Sequence, residues 1–231
     1  MDQKEKYVLV LGSKPESRFP DIEVKKIFAA NGAAEKASLY LKKYPNIKLT
    51  SIVGGREFEK NLDVQNRVLN SDISEIISRS GLIKFENFDF KNKINSKCFT
   101  FQEQIKFQSN FFIFGILNIM FAEFLYEKNL FMKIKHIIKS LKKGAINGIS
   151  TGFFSILYAL SESNNKVIIS GIGMGGGGHF YNEYSNRYSN RAKVDKNLMI
   201  YLKKHYKNRL YTVDKELEKN ANIKYLNIKL F

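Results

Sequence analysis

Apolar and polar residues follow one another along this chain in short blocks, and each apolar block ends at a turn-forming residue. Tyr7-Val-Leu-Val-Leu11 is an unbroken apolar run closed by Gly12, the pattern of a strand covered on both faces in a parallel sheet. Ile27-Phe-Ala-Ala30 predicts a second strand ending at Asn31-Gly32. Residues 33–44 then have helix-forming composition, with Ala37, Leu39, Tyr40 and Leu41 on the apolar side. Lys48-Leu-Thr-Ser-Ile-Val53, stopped by Gly54-Gly55, predicts a third strand, 65–69 a helical segment, and Glu75-Ile-Ile-Ser78 a fourth strand. Strand and helix alternate over these first eighty residues, so the fold class is α/β: one Rossmann-like domain over 1–231, with a mostly parallel central sheet flanked by helices.

The same logic organises the second half. Gly148-Ile-Ser-Thr-Gly152 opens an apolar helix that runs to Leu160, the polar stretch 161–165 ends it, and Val167-Ile-Ile-Ser170 predicts a buried strand. A helix that starts on Ser150, Thr151 and Gly152 presents unpaired N–H groups and two hydroxyls at the positive end of its dipole, a place that attracts phosphate. The strand runs into Gly171, Gly173 and four consecutive glycines at 175–178, too flexible for a sheet, and this predicts a ligand-covering loop. The tyrosine-rich polar run 182–190 extends it, giving a lid over 173–192. Residues 193–207 read as a helix with Val194, Leu198, Tyr201 and Leu202 on one side, and 209–213 and 224–228 as final strands. Between 81 and 106 the periodicity breaks down, which suggests a second lid-type excursion. Residues 111–141 read as a helical stretch that passes from apolar to basic; its apolar part, 111–126, is too short for a bilayer and contains Asn118 and Glu123, so it reads as a buried helix.

Composition narrows the function classes. The 231 residues are 44% hydrophobic, enough for a real core, and carry a formal charge of +16, which reads either as attraction to an anionic partner or as a compositional bias of a chain rich in Lys, Asn, Ile and Phe. A single cysteine, Cys98, excludes an internal disulfide and multi-cysteine metal sites, and the three histidines are too scattered for a ligand cluster. The start of the chain has neither a long apolar segment nor a cleavage signature, so a cytoplasmic location is expected, with Lys133, Lys135, Lys139, Lys142 and Lys143 suited to the inner face of an anionic membrane. At the strand ends stand Gly12 and Ser13, which suit either a phosphate or an ordinary turn, and Asn31, which suits either a helix cap or a ligand. Arg56 stands where it reaches an anion or pairs with Glu57 or Glu59.

Three stretches in order carry a resemblance. Ile149-Ser-Thr-Gly152, Tyr158-Ala-Leu160 and Lys166-Val-Ile-Ile-Ser-Gly-Ile172, preceded by the Gly12-Ser-Lys-Pro15 turn and Asn31, resemble the compact bacterial sialyltransferases that use CMP-activated sialic acid. That resemblance implies an inverting, metal-independent glycosyltransferase that needs no cofactor. Its donor is the CMP ester of a nonulosonic acid or Kdo, and its acceptor is a hydroxyl of a surface glycan or glycolipid. By the same carry-over Asn31 contacts the donor phosphate, Ser150, Thr151 and Gly152 hold the cytidine and phosphate side, and Gly12, Ser13 and Gly171 line the cleft. Tyr181, Tyr184 and Tyr188 are candidates to stabilise the departing phosphate, and Arg56, Arg187 or Arg191 to hold a carboxylate or phosphate.

The chain departs from that family at two places. Its Ser-Gly-Ile-Asp motif is Ser170-Gly-Ile-Gly173 here, and its catalytic His, five positions before an acidic residue, falls on Asn190 before Asp195. Asn is no base, which leaves His179 as the candidate general base, with donor-binding and structural roles open to it as well. Three other readings stand beside this one: a different nucleotide-dependent transferase on the same fold, a basic nucleic-acid-binding module, although no nucleic acid is expected as partner of the transferase, and a catalytically degenerate nucleotide-sugar binder. Homo-oligomerisation is left open.

Overall fold

The computed structural model describes residues 7–15, 17–79, 81–113, 115, 117, 130, 131, 134, 135, 138, 149–162, 164–174 and 189–231, without the side chains of 189–191 and 193. Among these residues one eight-stranded sheet runs through the molecule: β1 (Tyr7–Leu11), β2 (Lys26–Ala30), β3 (Lys48–Gly54), β4 (Glu75–Arg79), β5 (Asn95–Cys98), β6 (Lys166–Ser170), β7 (Leu210–Thr212) and β8 (Lys224–Tyr225). Their order is β5-β4-β3-β2-β1-β6-β7-β8, and every neighbouring pair is parallel. The chain winds outward from β1 to one edge, returns beside β1 as β6, and winds outward to the other. Such a reversal opens a crevice outside the carboxyl ends of the two central strands, the place where open α/β sheets bind their ligands.

Alternation along each strand sends side chains to two separate cores. Val8, Val10, Phe28, Ile52, Ile77, Val167 and Ile169 face one side; Leu9, Leu11, Ile27, Leu49, Val53, Ile76 and Ile168 face the other. The second side is covered by α1 (Ala33–Lys43), through Ala33, Ala34, Ala37 and Tyr40, together with Phe58 of α2 (Gly55–Lys60) and Val64 and Val68 of α3 (Leu62–Leu69). Leu39, expected on the buried side of α1, is instead 51% exposed, because the small alanines let the helix lie close and turn that position outward. The first side is covered by α5 (Thr151–Glu162), buried along Phe153–Leu160, and by Val194, Leu198, Met199 and Leu202 of α6 (Ser189–Tyr206).

Residues 81–106, for which the aperiodic sequence suggested a lid-type excursion, carry a 3-10 turn at Phe85–Asn87, then the edge strand β5, then α4 (Phe101–Ser109) with its Thr100–Glu103 capping box. β5 escapes a periodicity search because it is a polar edge strand, Asn-Ser-Lys-Cys, with three exposed positions. The expected helix over 193–207 starts earlier, at Ser189, and the expected strand 224–228 shrinks to two residues after α7 (Lys215–Ala221). The chain then returns to pair Phe231 with Phe19 through two backbone hydrogen bonds. Most of the stretch 118–148 and residues 175–188 of the lid expected over 173–192 lie outside the described residues; so do His179, Tyr181, Tyr184, Arg187 and Tyr188, and the side chain of Arg191. No helix among the described residues is long and apolar enough to cross a membrane.

Candidate functional site

Helix α5 runs back across the sheet, and two contacts fix its direction. Its last residue, Glu162, accepts from Lys26 Nζ at 2.9 Å, at the amino end of β2. Its first residue, Thr151, lies against Gly54 at the carboxyl end of β3, where a Cβ on Gly54 would come 3.4 Å from Thr151 Oγ1. The N-terminus of α5 is therefore set at the carboxyl edge of the sheet.

An α-helix leaves its first N–H groups without intrahelical partners. Here Ser150 takes the cap position: its Oγ accepts from Phe153 N–H at 3.0 Å, and its carbonyl accepts the first helical bond from Phe154. The Ser150 N–H donates to the carboxylate of Asp195 at 3.1 Å, a residue of α6 that is 1% exposed. Ser150 is thus largely committed to building the helix start. The N–H groups of Thr151 and Gly152 and the Thr151 hydroxyl are left at a half-buried position. Gly152 is held close: a Cβ there would stand 3.3 Å from Ile172 Cγ2.

Asn31 joins the same edge. It adopts a left-handed conformation, φ 50°, tolerated by Asn better than by most residues, and its Oδ1 accepts from Gly54 N–H at 3.1 Å. Its side chain does not cap α1, whose start at Gly32 has no side-chain cap, so the helix-cap role is set aside. Gly54 is the shared neighbour that brings Asn31 and Thr151 to one place. Behind them, Arg79 closes β4 with its side chain on the α5 side of the sheet; it is 5% exposed, donates from Nη1 to the Ile149 carbonyl at 2.7 Å, and its guanidinium stands 6.0 Å from the Phe154 ring centre. A buried guanidinium at the root of a helix start reinforces the positive field there. Arg56 is exposed on α2 and, among the described residues, pairs with neither Glu57 nor Glu59.

Gly12, Ser13 and Gly171 meet where β1 and β6 end. Gly12 N–H donates to the Ser170 carbonyl at 2.8 Å and Lys14 N–H to that of Gly171 at 3.0 Å. The backbones approach so closely that a Cβ on Gly12 would overlap the Gly171 carbonyl, and Gly171 has φ 70°. Glycine is needed at both for that contact. Ser13 follows, 8% exposed.

The end of β7 adds a group that sequence reasoning passed over. Asp214 looks like a helix cap for α7, yet its side chain caps nothing there; it reaches across to β6, accepting from Gly171 N–H at 2.6 Å and standing 3.5 Å from Ser170 Oγ. Burial pushes its carboxyl up to about 6, against the lowering influence of the Gly171 N–H and of Lys14. Arg79 was missed for a related reason, since a charged residue at the end of an apolar run reads as the start of a loop. In both cases the only signal was position, one charged residue at the carboxyl end of a buried strand. No family model, curated protein or solved structure matches this chain.

Proposed function

We propose that this protein is a glycosyltransferase of the sialyltransferase-like kind, moving a nonulosonic acid or Kdo from its CMP ester to a hydroxyl of a glycan or glycolipid. The observation that supports it best is the polar start of α5 lying at the carboxyl edge of a doubly wound parallel sheet, next to Asn31 and Gly54 and backed by Arg79. In this reading the Thr151 and Gly152 N–H groups and the Thr151 hydroxyl receive the phosphate of CMP. As the glycosidic carbon leaves that phosphate, preorganised N–H dipoles and the buried guanidinium offset the growing charge, which is the work a metal ion does in other transferases. The base that deprotonates the acceptor is assigned to His179, and Tyr181, Tyr184 and Tyr188 to the leaving phosphate, on the resemblance alone.

The acceptor's location has separate support. Leu130, Phe131, Ile134 and Ile138 are helical and exposed, at the spacing of one helix face, and the sequence from Lys128 to Lys143 holds six lysines and no acidic residue. Apolar side chains among lysines favour contact with an anionic bilayer, where a glycolipid acceptor resides.

A thermal-shift panel of CMP, CDP, UDP, GDP and ADP tests the donor reading, since a ligand that binds only the native state stabilises it by mass action. CMP and CDP should raise the melting temperature, and Thr151→Val should reduce the rise without lowering the melting temperature of the free protein by more than a degree or two. A larger response to UDP or ADP than to CMP refutes it.

A further inference from the structure

An opening lies at the carboxyl ends of β1, β6 and β7. It is a cavity of about 270 Å3 whose walls include Ser17, Arg18, Ile172, Asp214, Lys215 and Tyr225, and no residue of α5 lines it. Its polar groups are unevenly engaged. Lys14, at one wall, is paired with Glu216, and the Ser17 hydroxyl accepts from Lys36 Nζ at 2.6 Å. Among the described residues the Arg18 guanidinium and the Lys215 ammonium make no hydrogen bond or ion pair, and both are exposed at the rim. Asp214 is anchored by the Gly171 N–H, which leaves its carboxyl with acceptor capacity on each oxygen. The lining also holds the half-buried Tyr225 and the buried residues Val213 and Leu217.

Each feature limits the occupant. The volume falls just below the ~300–1,000 Å3 of pockets for drug-sized ligands, so it suits one ring or a small acid rather than a dinucleotide or a peptide. Two cations on the lining, neither engaged among the described residues, call for a negative group. A carboxyl that already accepts from a backbone N–H calls for a donor, and an apolar floor with an aromatic ring accepts the less polar face of a ring. We propose that this cavity binds a small polyhydroxylated organic anion, its negative group on Arg18 and Lys215 and one hydroxyl donating to Asp214. The site rests on the cavity and its lining, not on the assignment of CMP to the start of α5.

Glucuronate is the probe, titrated calorimetrically into the full chain, with glucose, inorganic phosphate and leucine as comparators. Glucuronate should bind at least about tenfold more tightly than glucose or phosphate, because each comparator satisfies only half of the site. Arg18→Ala and Lys215→Ala should each weaken glucuronate about tenfold without moving the urea midpoint, since neither side chain makes a hydrogen bond or ion pair among the described residues. Asp214→Asn, which keeps an acceptor for Gly171, should weaken it less. Absence of glucuronate binding at millimolar concentration, or binding that both cation variants leave unchanged, overturns the proposal. Leucine binding more tightly than glucuronate overturns the hydroxyl assignment in favour of an ammonium. The nucleotide melting panel on the unaltered chain is read separately: no CMP response with glucuronate binding intact refutes only the donor reading.

Discussion

Asp214 makes the folding stability of this protein depend on pH with an unusual sign. The ordinary carboxyl value is 3.8; burial beside Gly171 raises it to about 6 in the native state, against the opposing pull of Lys14 and of the Gly171 N–H, while nearby Glu216 reinforces the rise. Between those two values the folded chain holds a proton that the unfolded chain has released, so stability falls as pH rises through that window and is independent of this group on either side of it. A rise of about two pH units, at ~1.4 kcal/mol for each, amounts to ~3 kcal/mol of native stability lost between about pH 4 and pH 7. Asp214→Asn has the same shape and can still accept from Gly171 N–H, but it never ionises. Urea denaturation of both proteins at half-unit intervals from pH 4 to pH 8 isolates the effect, because the other carboxyls titrate alike in the two. Asp21 and Glu103, which hydrogen bonds and nearby lysines hold below their ordinary values, act at the acid end of the range in both chains. The variant should gain on the wild type by ~3 kcal/mol as pH rises to 7. Two stability curves that run parallel across the whole range would refute the reasoning.

Other perturbations probe the same edge of the sheet. Gly171→Ala places a Cβ into the Ser17 side chain at a φ of 70°, and should cost ~2–3 kcal/mol in equilibrium unfolding; a loss below 0.5 kcal/mol would mean that the β1–β6 contact is looser than described. Arg79→Met removes the charged donor to the Ile149 carbonyl and should cost ~1.5–3 kcal/mol, with a smaller thermal response to CMP; Arg79→Lys should recover part of both. Sedimentation with vesicles tests the exposed apolar face: phosphatidylcholine–phosphatidylglycerol vesicles should carry the protein down and pure phosphatidylcholine should not, with the effect reduced by 0.5 M salt and by Phe131→Asp. Equal sedimentation with both vesicle types would remove the lysines from that account.

The inner part of the fold was legible because burial on both faces writes itself as unbroken apolar runs. Tyr7–Leu11, Ile27–Ala30 and Val167–Ser170 each sit between neighbours, have helices above and below, and so contain almost no polar residues. The outer strands lack that constraint. β5 is exposed at three of its four positions, and β8 is two residues long; neither needs an apolar sequence, and neither announces itself. The candidate site was legible where backbone geometry selects residue type, as at Gly12, Gly171 and the cap serine, Ser150. It was illegible where a charged residue acts across the sheet, because Arg79 meets Ile149 and Asp214 meets Gly171 over separations that no local pattern records.

The start of α5 and the cavity beside Asp214 share one side chain. Ile172 packs on Gly152 at the start of α5, and it also forms a wall of the cavity beside Asp214. It is 6% exposed and belongs to the apolar core on the α5 side of the sheet, so it has little room to change rotamer without disturbing that packing. A larger residue at Gly152 therefore presses on Ile172 and, through it, on the wall of the cavity. The Gly12–Gly171 contact, with no space for a Cβ on either side, keeps the backbone beneath Ile172 in register. Gly12 and Gly171 thus stand where the chain returns beside β1, and Ile172, next along the chain, serves both the start of α5 and the wall of the cavity.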